Sequence, residues 1–286
     1  MLLSSRFRKM SLLSKLPRKY VLLAFLYGLS TLIIPLATQY LVNSLALSSI
    51  FANTLVFLIL LLIFLSISWV LRYGQLVLLE IIQRKIFVDE AIPWMGQVEE
   101  KKSHYMLEIQ TVMKSFSAAW SHLVELGLSL LFGLLVILSI HPAFIVLPLM
   151  IGSGLWLIFT FWEPAVASSV VESNEKYSLV ENKISGLPIS DEELAGFLKA
   201  RNDHFTYVKR STIVVGMTFV ISQLYLLGVG IFLIERSEIS VGQLVAGEII
   251  LTGIMVSVSK IPKTMEALYD FETSKIKLEN ALGANS

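Results

Sequence analysis

The chain has 286 residues, of which 55% are apolar and only 16% charged. Soluble domains carry about a quarter of their residues as charges. With a mean hydropathy of +0.72, this composition is that of an integral membrane protein and excludes a soluble enzyme. A net charge of +1, spread over scattered basic residues, offers no field for a phosphate backbone, so nucleic acid is not an expected partner. The chain has no cysteine, which removes disulfides, thiolate nucleophiles and Cys-ligated metal centres together.

Residues 1–19 form a basic segment with Arg6, Arg8, Lys9, Lys15, Arg18 and Lys19 and no acid. Residues 20–71 then carry no Asp, Glu, Lys or Arg. One span needs about 20 apolar residues, so this stretch holds two spans and a turn near Asn43, Ser44, Ser48, Ser49, Asn53 and Thr54. A second charge-free stretch, 126–162, divides at His141-Pro142, because proline disfavours helix at the residue before it. Residues 211–234 form a fifth span, and a sixth runs over 240–262, interrupted only by Glu248 and Lys260. The predicted spans are 20–44, 55–82, 116–140, 143–164, 211–234 and 240–262. Residues 283–286 are left as a short tail.

Except for Arg72 and Arg236, every basic residue falls on one side of these spans. By the positive-inside rule both termini are expected in the cytoplasm, most simply of a plasma (inner) membrane. The connections on the other side are short, whereas 85–115 and 165–210 are long. The segment 163–185 has no glycine and reads as helix, and so does 192–211 apart from Gly196. Spans four and five are therefore expected to continue inward as helical arms, reaching roughly 35 Å beyond the membrane. The fold class is all-α: six transmembrane helices with two long cytoplasmic helical extensions.

Few residues point to chemistry. Glu248 lies about 12 Å into span six by helical rise, where an ionisable group is costly unless it faces water or a partner. It is either a substrate-path residue or a carboxyl protonated or hydrogen-bonded between helices. Glu125 and His122, three apart on one helical face, line a polar cavity or are simply wet near the cytoplasmic end. Gln223 in span five joins these as a substrate-path candidate. Arg72 either meets the neighbourhood of Glu80 or snorkels inward. Gly152-x-Gly154 and Gly228-x-Gly230 are small-residue sites for close helix contact. The histidines stand singly, without H-E-x-x-H, so no metal is expected.

Four stretches resemble the membrane domain of type I ATP-binding-cassette (ABC) exporters over residues 16–282. They are Ile34-Pro35-Leu36 with Tyr40–Leu45; Leu179–Gly186, like the second coupling helix; Glu238–Ala246, with its Ser-x-Gly-x-Leu-x-Ala; and the tail Ser274–Leu282. The resemblance implies the ABC type I exporter transmembrane fold over 20–282. It also assigns Ser103, His104 and Tyr105 to one coupling segment, and Tyr177, Glu181 and Gly186 to the other. Two departures stand out. The first coupling segment, Glu99–Leu107, lacks the family's glycine, and Pro188 follows Gly186 where the family continues a helix, so that Ser190 or Asp191 must cap a new one with Glu193.

No G-x-x-x-x-G-K-[ST] occurs, so this chain is not expected to bind or hydrolyse ATP itself. The resemblance then implies a permease subunit, with ATP entering only through a separately encoded ABC ATPase. The alternative is an ATP-independent accessory or scaffold protein that keeps the exporter fold. In the family, spans four and five cross to the other subunit, so a homodimer or heterodimer with those helices exchanged is expected. A lone chain would otherwise leave them without packing partners.

Overall fold

The computed structural model describes residues 18–46, 51–86, 88, 102–184, 186 and 188–283. Among the described residues there is no strand. The helices are α1 (Arg18–Ser30), α2 (Ile33–Ala46), α3 (Phe51–Ile86), α4 (Lys102–Ile140), α5 (Val146–Phe159), α6 (Trp162–Ile184), α7 (Asp191–Glu235), α8 (Val241–Ser259) and α9 (Ile261–Gly283). A short 3-10 turn, Pro142–Ile145, leads into α5. Among the described residues six helical stretches are long and apolar enough to cross a membrane: Arg18–Ser44, Leu55–Lys85, Ile109–Ile140, Pro142–Phe159, Asp191–Glu235 and Val241–Ser274. They match the predicted spans in number and order. The fourth is shorter than expected, because the helix breaks at Thr160 and Phe161.

Among the described residues three helical stretches are interrupted, each two to four residues before a proline. Proline has no amide hydrogen, and its ring crowds the carbonyl four residues back. Pro35 accounts for the break at Thr31 and Leu32, Pro164 for that at Thr160 and Phe161, and Pro262 for the step at Lys260 between α8 and α9. At the first break the Leu32 amide bonds to the Leu29 carbonyl in a tightened turn. Pro142, at the start of its turn, causes no break. Its donor would be idle there anyway, and His141 caps the turn by accepting from the Ala143 amide.

The main core joins α4, α5, α7, α8 and α9. Ile137, Leu147, Ile151, Leu226, Leu251, Ile254 and Val258 are almost completely buried. Within this chain α5 packs against α7, and α7 packs against α8. A smaller cluster of Tyr20, Ile82 and Phe116 joins α1, α3 and α4. Helix α3 is peripheral, with Leu55, Leu58, Leu62, Leu65 and Leu76 exposed in succession. A helix apolar on all sides with most of its surface uncovered is one that faces lipid.

At one end of the bundle the connections are tight. Helix α7 ends with Ser237 in the left-handed region at φ 59°. There the Ser237 amide donates to the Ile234 carbonyl and the Glu238 amide to the Leu233 carbonyl, the two bonds of a Schellman cap. His141 and Glu238 lie 3.0 Å apart and tie the two turns together. At the other end α6 and the first part of α7 form a pair of polar arms. Glu172 and Arg201 clamp them at 2.5 Å, and Asn182 donates to Glu193 at 2.7 Å. Ser190 is the cap of α7, in a reciprocal box with Glu193, as expected after Pro188. The arms rest on α9 of the same chain, where the Tyr269 ring meets the His204 ring edge-on.

Each residue of the Ser240-x-Gly-x-Leu-x-Ala pattern has a packing task. Ser240 caps α8 with Gln243, and Leu244 fills the space beside Gly230. Ala246 is fully buried. Gly242 donates its amide to Asn43 Oδ1 at 3.2 Å, and a Cβ there would lie 2.6 Å from the Gln39 carbonyl oxygen. In the two Gly-x-Gly pairs only Gly154, against Thr218, and Gly230 mark close approaches, while Gly152 and Gly228 face open space. Gly242→Ala should therefore push α2 off α8 and lower stability by about 1–3 kcal/mol, whereas Gly228→Ala should be neutral or slightly stabilising. Thermal unfolding of the two variants in detergent checks this; equal melting temperatures would contradict it.

Candidate functional site

A cavity of about 410 Å³ lies between α1, α2, α3, α4 and α8. Its wall is polar at the arm end, with Tyr20, Arg72, Gln75, Ser121, Glu125 and Lys260. Toward the turn end it is apolar, with Leu32, Pro35, Phe132, Ile249 and Ile250. Helical rise places Glu125 about 22 Å from Ile140, Arg72 about 26 Å from Leu55 and Lys260 about 29 Å from Val241. Three different helices thus deliver their charges to one depth, in the last third of a hydrocarbon layer about 30 Å thick.

Glu125 stands between the two cations. Lys260 Nζ is 3.4 Å from one carboxylate oxygen, and Arg72 Nη2 is 3.9 Å from the other. Arg72 also donates from Nη1 to Gln75 Oε1 at 3.2 Å, and its guanidinium lies 5.3 Å from the centre of the Tyr27 ring. Two cations therefore share one carboxylate, and the wall of the cavity carries a net positive charge. Lys260 reaches the site because it occupies the step between α8 and α9, with its amide bonded to the Ser257 and Val258 carbonyls.

Among the predicted path residues Gln223, Glu248, Glu125 and His122, Glu125 alone lines this cavity. His122 does not line it. A spacing of three residues leaves two side chains about 60° apart on a helix, and His122 turns instead to α9, where Nδ1 lies 3.1 Å from Thr264 Oγ1. Thr264 gives its own proton to the Lys260 carbonyl at 2.9 Å, so the His122 tautomer with hydrogen on Nδ1 satisfies the pair.

Glu248 and Gln223 are brought together across α7 and α8, away from the cavity wall. Gln223 Nε2 donates to Glu248 Oε1 at 2.5 Å, and Thr252 Oγ1, whose residue does line the cavity, donates to the same oxygen at 3.2 Å. Gln223 Oε1 is buried without a partner among the described residues. The carboxyl is therefore hydrogen-bonded between α7 and α8.

The coupling candidates are placed only in part. Ser103, His104 and Tyr105 fall in α4, and Tyr177 and Glu181 in α6, but their side chains lie outside the described residues. Gly186 follows α6 with φ 73°, a left-handed conformation that suits glycine. Glu80 pairs with Arg84 at 2.8 Å, which leaves Arg72 for the cavity.

Sequence reasoning passed over Arg72 and Lys260 as site residues. The rule that singled out Glu248 applies to Arg72 with equal force, since it is the one charge in an otherwise uncharged run of span two. Its partner could not be read in the same way, because Glu125 lies on a helix with no fixed register to span two until both pack on α1.

Fold and cavity define a helical integral-membrane protein with six candidate spans and a charged cavity within its bundle. No protein-family model matches the chain, and no curated protein matches it either.

Glu248→Leu would strand the buried Gln223 amide and should cost about 1–3 kcal/mol of stability. Glu248→Gln keeps a hydrogen-bonding partner and should cost less. The double change Glu248→Leu with Gln223→Leu removes both groups and should recover most of the loss. Thermal unfolding of the three variants decides it, and equal losses in the single and double leucine variants would remove the pairing from the account.

Proposed function

We propose that the chain is the membrane-spanning subunit of an ABC-type exporter, working as a dimer and driven by a separately encoded ATPase. The observation that carries this reading is the cavity at Arg72, Glu125 and Lys260. Charges drawn to membrane depth are costly and mark paths or binding sites, whereas a scaffold holding other proteins needs none inside its own bundle. The exporter resemblance and the contrast between tight turns at one end and helical arms at the other support the same reading. The arm end, rich in lysine and arginine, is cytoplasmic by the positive-inside rule, and the Gly186 turn between the arms is the surface offered to the ATPase. Exchange of α5 and α7 between subunits would replace contacts the chain already makes with equivalent ones from its partner, as in domain swapping.

Two measurements test this. Purification of the full chain from its native membrane should bring an ABC ATPase with it, and the complex should hydrolyse ATP. A stable, ATPase-free complex with another membrane protein would instead establish an accessory scaffold. Ser237→Cys, the sole thiol in the resulting chain, should react with an impermeant maleimide added outside intact cells. Reaction only from the cytoplasmic face would invert the topology.

A further inference from the structure

We infer that the cavity takes an anionic amphiphile, with a carboxylate or phosphate headgroup between Arg72 and Lys260 and a single acyl chain running toward Phe132 and Ile250. This deepens the proposed transport function, and rests on it for the view that the occupant is cargo.

Charge decides the headgroup. Charge-assisted N–H···O contacts close to about 2.7–2.9 Å, whereas Glu125 stands 3.4 Å from Lys260 and 3.9 Å from Arg72. One carboxylate is shared between two cations, at distances longer than such contacts usually take. An entering anion gains two donors and offsets the surplus positive charge, which is expensive at this depth. A cationic ligand would add a third positive group, and a neutral one would leave the surplus as it is.

Shape decides the rest. From Lys260 to Ile249 the wall runs about 16 Å by helical rise, changing from charged to apolar along its length. That gradient suits a molecule with one polar end. At about 410 Å³ the cavity lies low in the range of about 300–1,000 Å³ common for small-molecule sites, enough for one chain but not for a lipid with several. Ile34 and Val256 line it and are half exposed, so its rim lies on the surface of the bundle, where an acyl chain can enter sideways.

Glu125 then acts as a built-in competitor that holds Arg72 and Lys260 when the cavity is empty. This gives a test that simple charge attraction at the surface would not reproduce. The full chain, in nanodiscs of uncharged phosphatidylcholine, is titrated with radiolabelled laurate, with dodecyl phosphate, dodecanol, dodecyltrimethylammonium and acetate as competitors. Laurate should bind saturably and dodecyl phosphate should displace it. Dodecanol should compete at least about tenfold more weakly, and acetate and the ammonium compound not at all. Arg72→Gln and Lys260→Gln should each weaken laurate by about tenfold or more, while Arg72→Lys keeps most of the affinity. Glu125→Gln should tighten it.

Equal competition by dodecanol or by dodecyltrimethylammonium would overturn the headgroup assignment, and equal competition by acetate would overturn the acyl chain. Weaker laurate binding by a folded Glu125→Gln protein would overturn the competitor role. The competitor series uses the unaltered chain, so it stands even where a variant fails to fold. Binding is read without ATP. Loss of the ligand with transport intact therefore counts against this assignment alone, and absence of an ATPase with binding intact counts against the transport reading alone.

Discussion

Pro35, Pro164 and Pro262 each lack an amide hydrogen, and at membrane depth the carbonyls they leave free have no water to turn to. The positions of these three residues fix where the bundle bends. Hydroxyl side chains gather on the turn before each bend. Ser30 and Thr31 donate to the carbonyls of Tyr27 and Gly28 at 2.7 Å, Thr160 to Leu157 at 2.7 Å, and Ser259 to Val256 at 2.7 Å. These bonds steady the last regular carbonyls, while the broken backbone itself is placed where it can be tolerated. Irregular backbone survives in a membrane when it is buried in protein or lines a cavity. Thr31, Leu32 and Pro35 border the cavity toward one end, and Lys260 borders it at the other. The cavity and two of the three breaks, those before Pro35 and Pro262, are thus one feature.

The same constraint separates the two polar sites. Gln223, Glu248 and Thr252 form a compact set in which a carboxyl is held by neutral donors. The Arg72, Glu125 and Lys260 set cannot close on itself, because it holds one acid and two bases on three helices. Lys260 is held at its place by the step before Pro262. Arg72 is held by stacking on Tyr27 and by Gln75. With both cations fixed by other contacts, Glu125 cannot draw them into short contact. The long distances follow from that competition.

What could be read in the sequence follows from which forces are local. Span count and order depend on apolar length alone, and the six stretches came through in number and order, though the fifth begins at Asp191 and the sixth runs on to Ser274. The cap at Ser190 was legible because a capping box is written within four residues. The breaks at Thr31 and Thr160 were less legible, since a proline in an apolar run either kinks a span or ends it, and composition does not distinguish them. Glu248 and Gln223 were both singled out, yet their meeting depends on the registration of α7 against α8. That registration is set by Gly230 receiving Leu244, a contact between residues with no shared local signal. The triad was hidden for the same reason. Its members lie on separate helices and meet only when α1 packs between α3 and α4.

Helix α9 is the element that joins the arms to the cavity. It begins immediately after Lys260, with Thr264 tied back to both the Lys260 carbonyl and His122. Farther along, Tyr269 packs against His204 of the arm helix α7, and Phe271 against Phe116 of α4. A helix is stiff along its axis, so displacement of the arms is not absorbed within α9 but appears at its ends. One of those ends is the step that carries Lys260. Glu125 sits on α4, which packs along α9, while Arg72 sits on the peripheral α3. The two cations are thus delivered by different parts of the bundle, Lys260 by the start of α9 and Arg72 by the peripheral α3.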